Sequence, residues 1–284
     1  ARVWVQLELI AGVAKADISL AGMQFFSKLT LPARISPTSP DYLTALAAHP
    51  VVFEAMDPKG LLLPDASSQI TLYATHHRIE FYTWSDQRCC LPAGSTSATL
   101  RGHFDTLTPG QVLIFEEIKG PNTGLAEDAD PAHRHALRLT RVHYLDGPNP
   151  LVDPLSGTEI TEIEWAVDDA LPFPLCISAQ TDDDHGGVFI TGVSVARGNV
   201  LLADHGMTVE DELIGAVPPV RLYYPLELTH DRCDNPAPEP LPPRFRPLLR
   251  ERPLTQAATL RKIKRVAGQT KTQQLRFDPE APAS

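Results

Sequence analysis

Two histidines set two residues apart, His133 and His135, are the nearest this chain comes to a metal-ligand pattern. On a strand both side chains share a face and could ligate one ion. The nearest third ligand is Asp130, while Arg134 and Arg138 in the same stretch suit a polar, solvent-facing segment instead. Asp182-Asp183-Asp184-His185-Gly186-Gly187 offers hard oxygen ligands but lacks the ligand spacing and closing Glu of a calcium hand, so turn chemistry explains it better. Asp204-His205 resembles half of a Ser/His/Asp device, yet neighbours on a strand point to opposite faces and the sequence holds no GxSxG elbow. Cys89 would need a nearby base to become a useful thiolate, and His103 has no sequence context that places it. Glu116-Glu117, or Glu162 and Glu164 on one strand face, could act as a carboxylate pair on a sugar, but such a site wants several exposed aromatics and the chain has only three tryptophans, Trp4, Trp84 and Trp165. Gly186-Gly187 precedes a strand and not a GKS/T helix, so no phosphate loop is expected. These patterns assign no catalytic, cofactor-binding or metal-binding residue, and the expectation is a protein that is not an enzyme.

The elements that would carry these residues are short strands. Ile79, Phe81 and Thr83 alternate with Glu80, Tyr82 and Trp84, the period of a half-buried strand. Leu91-Pro92-Ala93-Gly94 and Thr108-Pro109-Gly110 each pair a fixed φ with a residue that tolerates positive φ, so each predicts a turn launching a strand. The strands so launched are Ser95 to Leu100 and Val112 to Ile118, the second apolar on both faces except at Glu116 and Glu117. Ile163, Trp165 and Val167 share a face opposite Glu162 and Glu164. Arg197-Gly198-Asn199, between Val193–Val195 and Val200–Ala203, reads as a hairpin, and Gly206 as the end of the second strand.

Further out, Val3, Val5, Leu7 and Leu9 form a first strand and a loop follows; Leu20-Ala21-Gly22-Met23 repeats the turn-then-strand device. Ser39-Pro40-Asp41 caps a short helix that His49-Pro50 stops. Val51 to Ala55 and Ile70 to Tyr73 are further strands. Ten prolines over residues 216 to 254 leave room for an extended connector only, and Leu254 to Val266 reads as an amphipathic helix ended by Gly268. The last residues, through Pro282 to Ser284, read as a linker.

The predicted fold class is therefore mainly β, a multi-stranded antiparallel barrel or sandwich with a smaller α+β flank; the strand spacing does not choose between barrel and sandwich. The expected domains are 1–78, a strand-rich flank with one short helix, open to being part of a larger discontinuous fold; 79–225, the barrel or sandwich; and 226–284, a proline-rich connector and basic tail.

The run FYTWSDQRCCLPAGSTSATLRG, followed by LTPGQVLIFEE, resembles the bacterial baseplate assembly proteins of phage tail-like contractile particles, relatives of the J-type baseplate wedge proteins. DPAHRHALRLTRV (130 to 142), DPLSGTEITEIEW (153 to 165), ALPFPLCIS (170 to 178), VSVARGNVLLADHG (193 to 206) and RPLLRERPLTQA (246 to 257) extend the likeness over roughly residues 79 to 257. At Ala21 the proline of the family's turn is replaced. The resemblance implies a structural component assembled with other baseplate subunits, cytoplasmic in the producing bacterium and carried in a particle that can be released. It also implies that this chain is a middle portion, since family members carry a helical region before it and a J-like part after it; the missing initiator Met agrees with a fragment or a processed chain.

Composition fits that class. The chain has 284 residues, 43% hydrophobic and 21% charged, with 27 prolines and 7% aromatics, which favours many short elements. No apolar run approaches the ~18 residues of a membrane span, and no secretory leader is expected, since Ala1-Arg2-Val3-Trp4 already reads as strand. Residues 241 to 284 hold ten Lys/Arg against three Asp/Glu, while the first 240 hold fifteen against thirty-two. An acidic body repels phosphates and the basic tail lacks interleaved aromatics, so no nucleic-acid partner is expected; residues 240 to 277 are expected to dock on an acidic neighbouring surface. Cys89, Cys90, Cys176 and Cys233 make no disulfide framework in a chain this long, which predicts small buried reduced thiols and a cytosolic setting. No cofactor or small-molecule substrate is expected. The rival readings are a metal-dependent or acid/base hydrolase using His133, and a carbohydrate-binding module using an exposed aromatic such as Tyr82.

Overall fold

In the computed structural model, residues 1–27, 34–56, 68–208, 213, 215–223 and 238–247 are described, with the backbone of 260–262 and 275–277. The chain divides into two compact units, one of Ala1–Phe25, Phe53–Asp204 and Ala257–Ser284, the other of Phe26–Val52 and His205–Gln256.

The first unit is organised around a six-stranded antiparallel sheet: β1 (Ile79–Glu80), β2 (Ser97–Arg101), β3 (Val112–Glu117), β4 (Arg134–His143), β5 (Ile160–Trp165) and β6 (Ser194–Arg197), in the spatial order β1-β6-β3-β4-β5-β2. The order returns on itself. Phe81, just past β1, bridges Leu100 of β2, and the Tyr82 N–H donates to the Thr99 carbonyl at 2.8 Å, so the sheet curls into a nearly closed barrel. Closure depends on β4, the longest strand: Arg134 to Arg138 pair with β3, then the register shifts between Leu139 and Arg141 and the rest pairs with β5. Such a bulge bends a strand and adds twist, which is how a small sheet turns a corner.

Alternation decides what fills the barrel. Leu113 and Phe115 of β3, Leu137 and Leu139 of β4, and Ile163 and Trp165 of β5 point inward and are buried. Phe115 meets Phe81 edge-on at 4.7 Å between centroids and Trp165 at 5.3 Å, the favoured geometry for aromatic pairs. A six-stranded barrel is narrow enough to be filled by its own side chains. The two launching turns form as expected: Ser95 N–H donates to Pro92 O and Gln111 N–H to Thr108 O, with Gly94 and Gly110 at φ 86° and 93°.

A second, four-stranded sheet has the order Arg2–Gln6, Val200–His205, Val52–Ala55, Gln24–Phe26, and covers a smaller core of Leu20, Ala55, Leu201 and Ala203. The stretch read as a loop after the first strand contains Lys15–Ser19, paired with Gln69–Tyr73. Arg197-Gly198-Asn199 is not a hairpin. It carries the chain from β6 in the barrel to Val200–His205 in the four-stranded sheet, with Asn199 at φ 56°; a residue tolerant of the left-handed region suits a sharp change of direction as well as a hairpin. Val167 leaves the inward face of Ile163 and Trp165, standing 78% exposed in the 3-10 turn after β5.

In the second unit the helix is Pro40–Ala47, with Pro40 in its first turn and the Ser39 hydroxyl accepting from the Tyr42 N–H. Arg221–Tyr223 pairs with Glu239–Leu241 in a two-stranded ribbon inside the proline-rich stretch. Of the helix expected over Leu254 to Val266, the described residues Leu260–Lys262 are strand instead, paired with Leu275–Phe277. A lone stripe of Leu260, Ile263 and Val266 has little to hold a short helix unless that stripe is packed. The rest of that helix, the final linker, Cys233 and most of the basic tail lie outside the described residues. Among the described residues, no helix is long and apolar enough to cross a membrane.

Candidate functional site

The densest group of titratable side chains lies where β3 ends and β4 begins. Glu117, the last residue of β3, is buried although charged in type. Its Oε1 accepts from the Asp130 backbone N–H at 2.9 Å and its Oε2 lies 2.7 Å from His133 Nδ1. A carboxylate only accepts, so His133 carries its proton on Nδ1. His135 Nε2 is 2.9 Å from the Asp169 carbonyl, which places its proton on Nε2 by the same argument. Both imidazoles pack on Phe173, at 4.9 and 6.4 Å between centroids. The two histidines do share a side, but each spends a ring nitrogen on a partner within the chain. Asp130 comes no nearer than 3.9 Å to His133 Nε2. Among the described residues, no group of three or more His, Cys, Asp or Glu is placed to hold a metal.

The outer barrel face disposes of the other carboxylates. Glu116 receives Arg134 Nε at 3.0 Å and Arg197 Nε at 2.7 Å, a bridge across three neighbouring strands. Glu164 is paired with Arg141 at 2.7 Å and Glu162 with His143 at 3.1 Å. Such partners on facing strands are the ordinary stabilising cross-strand contacts of a sheet, and each glutamate of the two candidate pairs has one. Asp182 accepts from the His185 N–H at 2.9 Å and from its ring at 2.6 Å, and these bonds hold its carboxyl below the usual range. Gly186 follows in the left-handed conformation, which makes this acidic run a capped turn. Asp204 faces Arg2 in the strand register and His205 closes its strand. His103 stands edge-on to Tyr144, its Nδ1 buried without a hydrogen bond.

Two groups had no signal in the linear sequence. Tyr82 donates its hydroxyl to Asp153 Oδ2 at 2.5 Å, and that bond, first among several, holds the Asp153 carboxyl low. Asp153 also takes the Leu155 N–H and the Ser156 hydroxyl, so one carboxylate organises a loop 71 residues downstream of Tyr82. At Leu155 that loop exposes 96% of a large apolar side chain. The second group is a thiol pair. Cys90 and Cys176 face each other across a two-stranded ladder, with their sulfurs 2.8 Å apart. Cys90 is exposed, which corrects the expectation of buried thiols. Cys176 is pushed up to about 12 by burial and by the hydrogen bond with Cys90, so it is not the thiol set to react first with an outside reagent. Burial also raises Cys89, and its neighbour Asp86 adds to the effect.

No family model, no curated protein and no solved structure matches the chain.

Proposed function

We propose that this chain is a structural component of the baseplate of a phage tail-like contractile injection particle, acting through contacts with other baseplate subunits and not through catalysis. The resemblance over roughly residues 79 to 257 suggests the particle. The observation that carries the structural role is how the chain's polar groups are committed. The barrel interior is filled with aromatic and aliphatic side chains, and the four candidate glutamates, Glu116, Glu117, Glu162 and Glu164, are each paired with an arginine or a histidine. Large apolar side chains stand exposed outside that core, Leu155 at 96% and Val167 at 78% among them, and the neighbours Val188 and Phe189 are exposed as well. On this reading partner subunits cover these side chains.

On this reading the chain works in an oligomeric assembly built in the cytoplasm of the producing bacterium. Deleting its gene from the source strain should remove contractile particles from electron micrographs of induced lysates, and supplying the chain in trans should restore them. Normal particles from the deletion strain would refute the proposal.

A further inference from the structure

The cysteine pair is placed for a chemistry that the assembly role does not use. Leu175–Cys176 and Cys90–Leu91 form an antiparallel ladder in which Cys176 lies opposite Cys90. The Ile177 N–H donates to the Cys89 carbonyl at 2.8 Å, so the hydrogen-bonded pair is Cys89 with Ile177 and the next pair, Cys90 with Cys176, is the non-hydrogen-bonded kind. At such positions the Cα atoms approach to about 4.5 Å and the side chains stand side by side. That separation falls within the range of about 4.4–6.8 Å that a disulfide spans. The sulfurs already lie 2.8 Å apart, so bonding at about 2.0 Å requires a closing movement of less than about 1 Å.

We propose that Cys90 and Cys176 are a reversible oxidation site, joined as an intrachain disulfide by a small-molecule disulfide and reopened by a small thiol. The exposed Cys90 thiolate attacks one sulfur of the oxidant, forming a mixed disulfide and releasing one thiol. Cys176 then loses its proton and attacks Cys90 Sγ, releasing the second thiol. Two protein thiols are oxidised, one small disulfide is reduced to two thiols, and no other electron acceptor is needed. Cys90, and not Cys89, lies opposite Cys176 in the ladder, while the Cys89 side chain packs against the barrel core as Leu91 and Phe173 do. The ladder also carries Leu175, fully buried in that core, so the bond fixes a segment that covers one flank of the barrel. It closes a long loop between residues 90 and 176, the situation in which a cross-link restricts the unfolded chain most.

The test uses the whole purified chain, first reduced and then equilibrated with glutathione buffers of increasing oxidised fraction. Trypsin leaves Cys89 and Cys90 on one peptide, after Arg88, so the map is repeated with Cys89→Ser. The expected result is loss of two thiols per chain, a cross-link between that peptide and the one containing Cys176 in both wild type and Cys89→Ser, and its absence in Cys90→Ser and in Cys176→Ser. The oxidised chain should melt a few degrees higher than the reduced chain, and dithiothreitol should reverse both changes. Thiols that stay free in fully oxidised glutathione, a cross-link lost in Cys89→Ser, or a bond that forms only after denaturation would each overturn the proposal.

Discussion

The carboxamide of Asn199 hydrogen-bonds the backbone of Tyr73 from both sides, its Oδ1 accepting from the Tyr73 N–H at 3.0 Å and its Nδ2 donating to the Tyr73 carbonyl at 2.8 Å. A side chain thus does what a neighbouring strand would do, at the edge of the Gln69–Tyr73 strand and at the point where the chain leaves the barrel for the four-stranded sheet. Asn199 is also buried and left-handed, a conformation that asparagine accepts better than most residues. Asn199→Ala strands two part-buried backbone groups and adds backbone strain, so it should cost about 2–4 kcal/mol in denaturant unfolding. Asn199→Gly relieves the strain only and should fall between the two.

Acid sensitivity should centre on His76. Its ring is buried beside Tyr73 and Phe104, with Nε2 2.7 Å from the Thr106 hydroxyl, and burial lowers it to about 4 against the small opposing pull of Asp105. The folded chain therefore keeps His76 neutral, while the unfolded chain protonates it near its ordinary value of about 6.5. Stability from this group is full above about pH 6.5 and falls as pH drops toward 4. His76→Gln should lower stability at neutral pH yet flatten its decline across that window, read as the urea midpoint at each pH. Asp153 acts at lower pH, because a lowered carboxyl contributes above its ordinary range of about 3.9 and loses that contribution only below it.

Glu117 and His133 should prove structural. Glu117→Ala leaves the Asp130 N–H and the His133 ring without their acceptor and should cost about 2–4 kcal/mol, whereas His133→Ala should cost less. Chelation with EDTA should leave the melting midpoint of the wild-type chain where it was. A fall on chelation, restored by zinc, would return the two histidines to the role of ligands.

Trp84 and Ser85 stand at φ 53° and 66° in a tight turn in which the Asp86 N–H donates to Thr83 O. Two positive φ values are what Asn-Gly supplies readily, and a bulky residue there is strained. Trp84 is nevertheless half exposed, held by its Nε1–H on the Thr99 hydroxyl at 3.3 Å and by Tyr82 edge-on at 5.3 Å. Ser85→Gly should raise stability by about 0.5–1 kcal/mol. Trp84→Asn with Ser85→Gly should be at least as stable as the wild type, and its weaker incorporation into particles would show that the strained tryptophan serves a partner.

Local chemistry was legible in the sequence and long-range partnership was not. The Pro-Gly turns, the Ser39 cap and the shared face that buries Ile163 and Trp165 were readable because period and turn geometry are local properties, whereas Val112–Glu117, apolar on both faces in sequence, turns only Leu113 and Phe115 into the barrel core. Barrel closure was hidden because it hangs on Phe81 meeting Leu100 and on one register shift in β4. The Gly198-Asn199 signal reads as a hairpin but suits a change of sheet equally, and the bonds of Asn199 to the Tyr73 backbone go with the second. At the candidate site, spacing put His133 and His135 on one side correctly, but only the fold brings Glu117 from the neighbouring strand to claim His133. Cys90 and Cys176 could not be paired by reading, since nothing near either residue points to the other.

The most direct test is to tag the chain in its source cells, induce particle production, and identify what co-purifies under gentle conditions by mass spectrometry. The assembly role predicts sheath, tube and other baseplate subunits in stable proportion to the tagged chain. Recovery of the chain alone, or with the enzymes of a metabolic route, would contradict it.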